Sequence, residues 1–436
     1  TGQILAMVSS PTFDPREMIG KLRGKTQHTL MLDPAKPLLN RAIMGQYPPG
    51  STFKTSQAVT YYTEGIISDS TRYACHHGFY FKGLHLGCHA HASPLSLVPA
   101  LGTSCNAYFC WGLYHMLSNR KRYKNLDDAM TVWRNYMVSM GFGYKLGIDL
   151  PGEKRGMIPN AQFYDHAFKV WNPLTVISIS IGQGEVNLTP LQIANLGATI
   201  ANRGYYITPH VVRKIQGRRL DKKYTERHRT MGSVKSYERV VLGMQASVNN
   251  GTCAGAPHPG YTLAGKTGTA QNRGKDHSVF MGFAPVENPK IAIAVYVENG
   301  GFGAVYGVPI GALMIEQYIN GKLTPGDMAK ADQIQKRHIA YSFKRPLTKS
   351  DSLRLDSIKR VTQIKDSLKQ VKEKQMIEEI KKAKEEKAKL DAEKQEKKKP
   401  QMPNDPIIRP ETDESVIKEK GDDHKKDKKP TDEEKK

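Results

Sequence analysis

The sequence predicts an α+β fold, and three observations carry that reading. Three β-type runs, "YTLAGKTGTAQ", "HSVFMGFAP" and "IAIAVYVENG", follow one another with only turn residues between them. Consecutive strands of that kind pair as an antiparallel sheet. Helical patterns stand before and after these runs instead of alternating with single strands, which disfavours a doubly wound sheet. Finally, from about residue 344 the chain turns almost wholly charged, so the globular part and the tail are different materials.

Taken in order, residues 1–13 carry a strand pattern that stops at the turn-rich "SSPTFDP". The segment "LLNRAIMGQYPPG" leads into a helix beginning near Ser51. A turn-rich, Cys/His-rich stretch spans Cys75 to Ala92, and an apolar helix pattern runs from Leu95 to about Leu113. Residues 124–141 are amphipathic, with "GIDLPGE" after them as a Gly/Pro loop. The stretch "TVISISIGQGEVNLTPLQIANLGATIANRG" reads as a buried segment, a loop opened by Thr189-Pro190, and a long helix stopped at Gly204. After the three strands, "VPIGALMIEQYIN" makes a last helix. These patterns divide the chain into a globular domain over 1–325, a charged helical extension over 326–400 and a disordered tail over 401–436. In the extension Val361, Ile364, Leu368 and Val371 recur by threes and fours, too briefly for a coiled coil.

The chain has 436 residues and a net charge of +23; residues 344–436 hold 28 Lys+Arg against 22 Asp+Glu, so +17 resides in the folded body. A basic body suits an anionic polymer or surface. No zinc-finger spacing or aromatic RNP run is present, so no nucleic-acid partner is expected. No stretch reaches the roughly 18 apolar residues of a membrane span. The start, "TGQILAMVSS", lacks an initiator Met and reads as the inside of a strand, so a fragment of a longer protein is expected.

Three short motifs carry chemistry. Ser-x-x-Lys occurs at Ser51/Lys54, Ser118/Lys121 and Ser415/Lys418, so the spacing alone decides nothing. Ser51 stands apart because Pro48-Pro49-Gly50 forces a turn ahead of a helix-compatible run. A serine there meets exposed amides and the positive dipole end, with Lys54 one turn on along the same face. Burial lowers a lysine's pKa, and its neutral amine can take the hydroxyl proton. The second motif is Ser104-Cys105-Asn106, where a turn lets Ser104 and Asn106 point one way and Cys105 the other. The third is Lys266-Thr267-Gly268-Thr269, a lysine and two hydroxyls on a strand edge that Gly268 leaves open to a ligand. Such an edge suits a substrate carboxylate.

In this order the three motifs match a known serine acyl-transfer set. Together with "LGIDLPGEKRGMIPN", "SIGQGEVNLTPLQIANLGATIANRG" and "LAGKTGTAQ", they make residues 1–323 resemble the transpeptidase domain of the class B penicillin-binding proteins, the cell-elongation type above all. The resemblance implies the penicillin-binding-protein/serine β-lactamase-like fold, an antiparallel sheet flanked by helices plus a helical subdomain. It implies Ser51 as nucleophile, Lys54 as base, Ser104 and Asn106 as proton relay and amide holder, and Lys266, Thr267, Gly268 and Thr269 as the carboxylate site. Backbone N–H groups of Ser51 and Thr269 would form the oxyanion hole. The implied substrates are D-Ala-D-Ala stem peptides of peptidoglycan, with β-lactams as covalent inhibitors and no catalytic cofactor. Implied partners are a glycosyltransferase and the elongation machinery, and the implied place is the periplasmic side of the inner membrane. A D,D-carboxypeptidase or serine β-lactamase of the same fold, and a scaffold with an idle site, are the rival readings.

Five cysteines remain: Cys75, Cys88, Cys105, Cys110 and Cys253. Cys75, Cys88, His89 or His91, and Cys105 could form a tetrahedral Cys₃His zinc site, and the resemblance supports it, since some elongation-type relatives hold zinc in the corresponding stretch with partly different ligands. A Cys75–Cys88 disulfide and free thiols are the alternatives. Cys110 and Cys253 read as buried small apolar residues.

Overall fold

The computed structural model describes residues 1–272 and 274–337, and residues 367, 370, 373–379, 381, 382, 384 and 389 of the tail. The chain forms two units, Thr1–Phe343 and Lys344–Lys436. The first unit therefore runs past the boundary expected at 325.

Its N-terminal segment is no full strand. Gln3 bridges His210, and the Ile4 N–H donates to the His210 carbonyl at 2.8 Å. Leu5 and Val8 are exposed, so the alternation beyond that bridge has no sheet to face. Helix α1 (Arg23–Leu32) buries nothing, and α2 (Arg41–Met44) is capped by Asn40, which accepts from the Ala42 N–H.

A 3-10 turn over Gly50–Phe53 precedes α3 (Lys54–Thr63), so the α-helix starts three residues later than the motif suggested. Every residue from Lys54 to Tyr61 is buried although the run is rich in hydroxyls. Those hydroxyls are satisfied locally: Thr55 donates to the Thr52 carbonyl at 2.8 Å, Ser56 to Phe53 at 2.7 Å and Thr60 to Ser56 at 2.9 Å. Gln57 donates to the Ile179 carbonyl and accepts from the buried Trp133 indole at 2.9 Å. A polar helix can be central when no polar atom is orphaned.

Strands β1 (Gly78–Phe81) and β2 (Leu84–Gly87) form a hairpin within the Cys/His stretch. The apolar run expected as one helix is two, α4 (Leu97–Gly102) and α5 (Asn106–Ser118), broken by a turn at Thr103–Cys105. Helix α6 (Leu126–Ser139) follows an Asn125 cap, and α7 (Ala161–Ala167) an Asn160 cap. Thr189-Pro190 opens no loop. Thr189 caps α8 (Pro190–Ala201) in a capping box with Gln192, and Pro190 takes the first helical position, where its missing N–H costs nothing. Strands β3 (Tyr205–Ile207) and β4 (Arg227–Arg229) pair antiparallel, and α9 (Val234–Asn250) is the long helix before the sheet.

The sheet is β5 (Ala264–Ala270), β6 (His277–Ala284) and β7 (Ile291–Val297), antiparallel in that order, with Lys266 opposite Met281 and Gly282 opposite Ile293. Helix α8 covers one face, where Gly197 lies against Met281, and α10 (Gly307–Asn320) the other, where Gly311 lies against Phe280. Successive residues of β6 thus feed opposite cores, the period-2 rule of a strand buried on both faces. A fully buried Phe or Met of this kind contributes on the order of 1.5–3 kcal/mol. Helix α11 (Pro325–Gln335) belongs to this unit: the Thr324 N–H before it donates to Glu316 Oε1 of α10 at 2.8 Å.

In the second unit residues 373–379 are helical and exposed, and Lys382 pairs with Glu378 at 3.9 Å one turn away. The Val361–Val371 repeat, apart from its neighbours named above, and the tail 401–436 lie outside the described residues. Among the described residues no helix is long and apolar enough to cross a membrane.

Candidate active site

The turn that presents Ser51 is fixed from both sides by glycine. Gly50 has φ +55, and a Cβ there would stand 2.7 Å from the Thr269 carbonyl oxygen. Gly182, in "GQGE", has φ +71, and a Cβ there would stand 2.2 Å from the Gly50 carbonyl oxygen. The Gly50 N–H donates to the Gly182 carbonyl at 3.0 Å. Only glycine permits both the left-handed backbone and that approach. Ser51 is half-buried, whereas Thr52, Phe53 and Lys54 behind it are buried. In a 3-10 turn residues three apart eclipse, which sets Lys54 directly beyond Ser51.

Lys54 reaches across to the second motif. Its Nζ donates to the Ser104 carbonyl at 2.6 Å and to Asn106 Oδ1 at 2.6 Å, with Ser104 Oγ at 3.3 Å. Burial pushes its pKa down to about 8, against a smaller upward pull from the nearby cysteines. A neutral amine has two N–H groups and one lone pair. The two short bonds use the N–H groups, which leaves the lone pair for a hydroxyl proton. Ser104 holds φ +58, a strained value for a residue with a Cβ. That backbone brings the Ser104 carbonyl and hydroxyl both to Lys54. Asn106 opens α5, and its Nδ2 donates to the Gly87 carbonyl at 2.7 Å, fixing the amide's orientation.

The third motif closes the cleft. On β5 the missing side chain of Gly268 admits the nucleophile's turn, since a Cβ there would stand 2.9 Å from the Pro49 carbonyl oxygen. Lys266 is fully buried, and burial, then the Lys54 charge, lowers its pKa to about 7. A buried lysine beside another cation calls for an anion. Thr267 Oγ1 lies 2.6 Å from Thr252 Oγ1, and Thr269 Oγ1 accepts from the Gly303 N–H at 3.4 Å. Ser51, Lys54, Ser104, Asn106, Lys266, Thr267, Gly268 and Thr269 therefore line adjoining segments of one site.

Cys105 turns away from it, as the alternation predicts. Its sulfur joins those of Cys75 and Cys88 and a ring nitrogen of His91, all four within 4.8 Å of one another. All five cysteines are free, so Cys75 and Cys88 form no disulfide. Cys88 Sγ lies 3.4 Å from His91 Nε2 and accepts from the Asn106 N–H at 3.3 Å. His91 Nδ1 lies 2.7 Å from the Ala92 carbonyl, the kind of outer contact that fixes a ligating imidazole. His89 is outside the quartet. Three thiols and one imidazole at such spacing fit a tetrahedral zinc ion.

Sequence reasoning missed Gly182, Gln183 and Thr252. Gln183 Nε2 donates to the Thr269 carbonyl at 3.3 Å, so "GQGE" braces the nucleophile's turn and the carboxylate strand together. Adjacent glycines around one glutamine were the available signal; Thr252, a lone threonine in a loop, gave none.

The penicillin binding protein transpeptidase domain matches residues 1–314. The peptidoglycan D,D-transpeptidase MrdA of Acinetobacter baumannii is 35% identical over 335 residues, 70% of this chain and 47% of that protein. The crystal structure of Pseudomonas aeruginosa PBP2 in complex with WCK 5153 is similar with a TM-score of 0.65 at 30% identity, covering 75% of this chain and 71% of that one. Penicillin-binding protein A of M. tuberculosis, solved as a penicillin G acyl-enzyme complex, has a TM-score of 0.59 at 26% identity, covering 73% of this chain and 72% of that one. The chain spans about half the length of the curated relatives it matches.

Proposed function

This chain belongs to the penicillin-binding-protein transpeptidase family, and from that premise we propose that it is the catalytic part of a peptidoglycan D,D-transpeptidase of cell-wall elongation. Ser51 Oγ attacks the carbonyl carbon of the penultimate D-Ala of a stem peptide while Lys54 Nζ takes its proton. The oxyanion rests on the backbone N–H groups of Ser51 and Thr269, where one donor is worth about 10²–10³ in rate. As the C–N bond breaks, the proton passes through Ser104 to the nitrogen of the departing D-Ala. Asn106 holds the acyl-side amide. The amine of a neighbouring stem peptide then attacks the acyl-enzyme carbonyl, its surplus proton passing by way of Lys54 to Ser51 Oγ as the ester C–O bond breaks. A β-lactam acylates the same oxygen and stays there.

Electrostatics support this assignment. Burial lowers the pKa of both lysines. A carboxylate beside Lys266 favours its charged form, and a charged Lys266 in turn favours the neutral form of Lys54. Lys266, Thr267 and Thr269 thus read the terminal carboxylate as the condition for chemistry.

The Cys75/Cys88/His91/Cys105 quartet would hold a structural zinc ion, a rigid brace beside the turn that bears Ser104 and outside the reaction. A glycosyltransferase and the elongation machinery are the partners, and the inner membrane, with this domain on its periplasmic side, is the location.

The single observation that carries the reading is the buried Lys54 amine bonded at once to Ser104 and Asn106, one turn beyond Ser51. Incubation with a fluorescent penicillin tests it. A stable covalent label is expected; no label, or rapid turnover of the drug, contradicts it.

A further inference from the structure

The loop after α9 ties together two walls of the cleft through a residue with no place in the three motifs. Thr252 donates its N–H to the Gly102 carbonyl at 3.2 Å, two residues before Ser104. Gly251 beside it cannot carry a side chain, since a Cβ would stand 2.2 Å from the same Gly102 oxygen. The Thr252 hydroxyl touches both the buried Ser247 Oγ of α9, at 3.2 Å, and Thr267 Oγ1 of β5, at 2.6 Å.

Each hydroxyl in that row has one proton. A substrate carboxylate has none to give, so Thr267 must point its proton into the cleft to bind it. Thr267 can do so only if the 2.6 Å bond is donated by Thr252. Thr252 in turn can receive from Ser247. The row then has one direction, Ser247 to Thr252 to Thr267 to the carboxylate, and aligned donors strengthen each other in a low-dielectric setting. If the row ran the other way, the Thr267 oxygen would present lone pairs to an anion.

We infer that Thr252 is a positioning residue: it fixes the Thr267 proton toward the cleft and so sets affinity for the carboxylate that terminates the substrate. The inference rests on the transpeptidase reading above and adds to it a determinant outside the three motifs.

The test compares wild type, Thr252→Val and Thr252→Ser in acylation by a fluorescent penicillin and by its carboxylate methyl ester. Thr252→Val should bind the acid about tenfold more weakly, the worth of one hydrogen bond to a charged group, with the acylation step at saturation unchanged. Thr252→Ser should restore affinity, and the ester should show no such gap. Thr267→Val combined with Thr252→Val should be no worse than Thr267→Val alone, because Thr252 acts through Thr267. Thr252→Ala serves where the valine variant misfolds. Equal affinity in all variants, equal losses for acid and ester, or additive losses in the double variant would overturn the role of Thr252 while leaving labelling at Ser51 intact. Absence of label in wild type overturns the transpeptidase reading, and this inference with it.

Discussion

Lys54 Nζ stands 2.6 Å from Asn106 Oδ1, so a single amine joins the nucleophile's helix to the opposite wall of the cleft. Everything the site can do follows from the state of that amine. Replacement of Lys54 by methionine keeps most of its volume and removes the base. Acylation by penicillin should fall by about 10²–10⁴, the usual share of a positioned general base. Stopped-flow measurement of label uptake checks it, and a loss under threefold would place the base elsewhere.

The same amine sets the pH dependence. Burial lowers Lys54 to about 8, and the neutral form, which alone can accept a proton, grows as pH rises through that value. At saturating penicillin, where the bound carboxylate keeps Lys266 charged, the acylation rate should therefore climb with pH through the Lys54 pKa and level off above it. The residual rate of Lys54→Met should lack this limb. A wild-type profile flat across pH 8 would contradict the assignment.

Much of this was legible beforehand because catalytic chemistry needs particular groups at particular spacings. Ser51, Lys54, Ser104, Asn106 and the Lys266–Thr269 strand stand together as their motifs implied, and three thiols and an imidazole within one short stretch announced their own meeting. Boundaries were less legible where one pattern masks another. The apolar pattern from Leu95 to Leu113 reads as one helix while the Ser104 motif asks for a turn inside it, and the structure gives the turn, with a positive φ at Ser104. Thr189-Pro190 serves a turn and a helix start equally well, and the Gln192 capping partner decided for the helix. The N-terminal alternation promised a strand, but beyond Ile4 no neighbour among the described residues offers it a ladder. Thr252 was invisible because its importance lies wholly in what the fold sets beside it.

Gly182 should be as sensitive as a residue that touches substrate. Gly182→Ala places a methyl 2.2 Å from the Gly50 oxygen at φ +71, so the Ser51 turn must shift. The variant should lose about 1–3 kcal/mol of stability and at least tenfold in acylation rate. Denaturant melts and label uptake measure the two, and a variant normal in both would detach Gly182 from the site.

Zinc should be found at one ion per chain, and Cys88→Ala should abolish it. Loss of the ion should lower the melting temperature by on the order of 10 °C. Because the Asn106 N–H bonds Cys88, acylation should slow as well. Elemental analysis together with melting of the chelated protein checks both. Wild-type protein that purifies metal-free with the three thiols open to alkylation would refute the site.

Mass spectrometry of the proteolysed, penicillin-treated protein puts the whole scheme at greatest risk. The scheme requires one adduct, on the peptide containing "YPPGSTFKT", sited at Ser51 and missing from Ser51→Ala. An adduct on any other residue, or one that persists in the alanine variant, would contradict it.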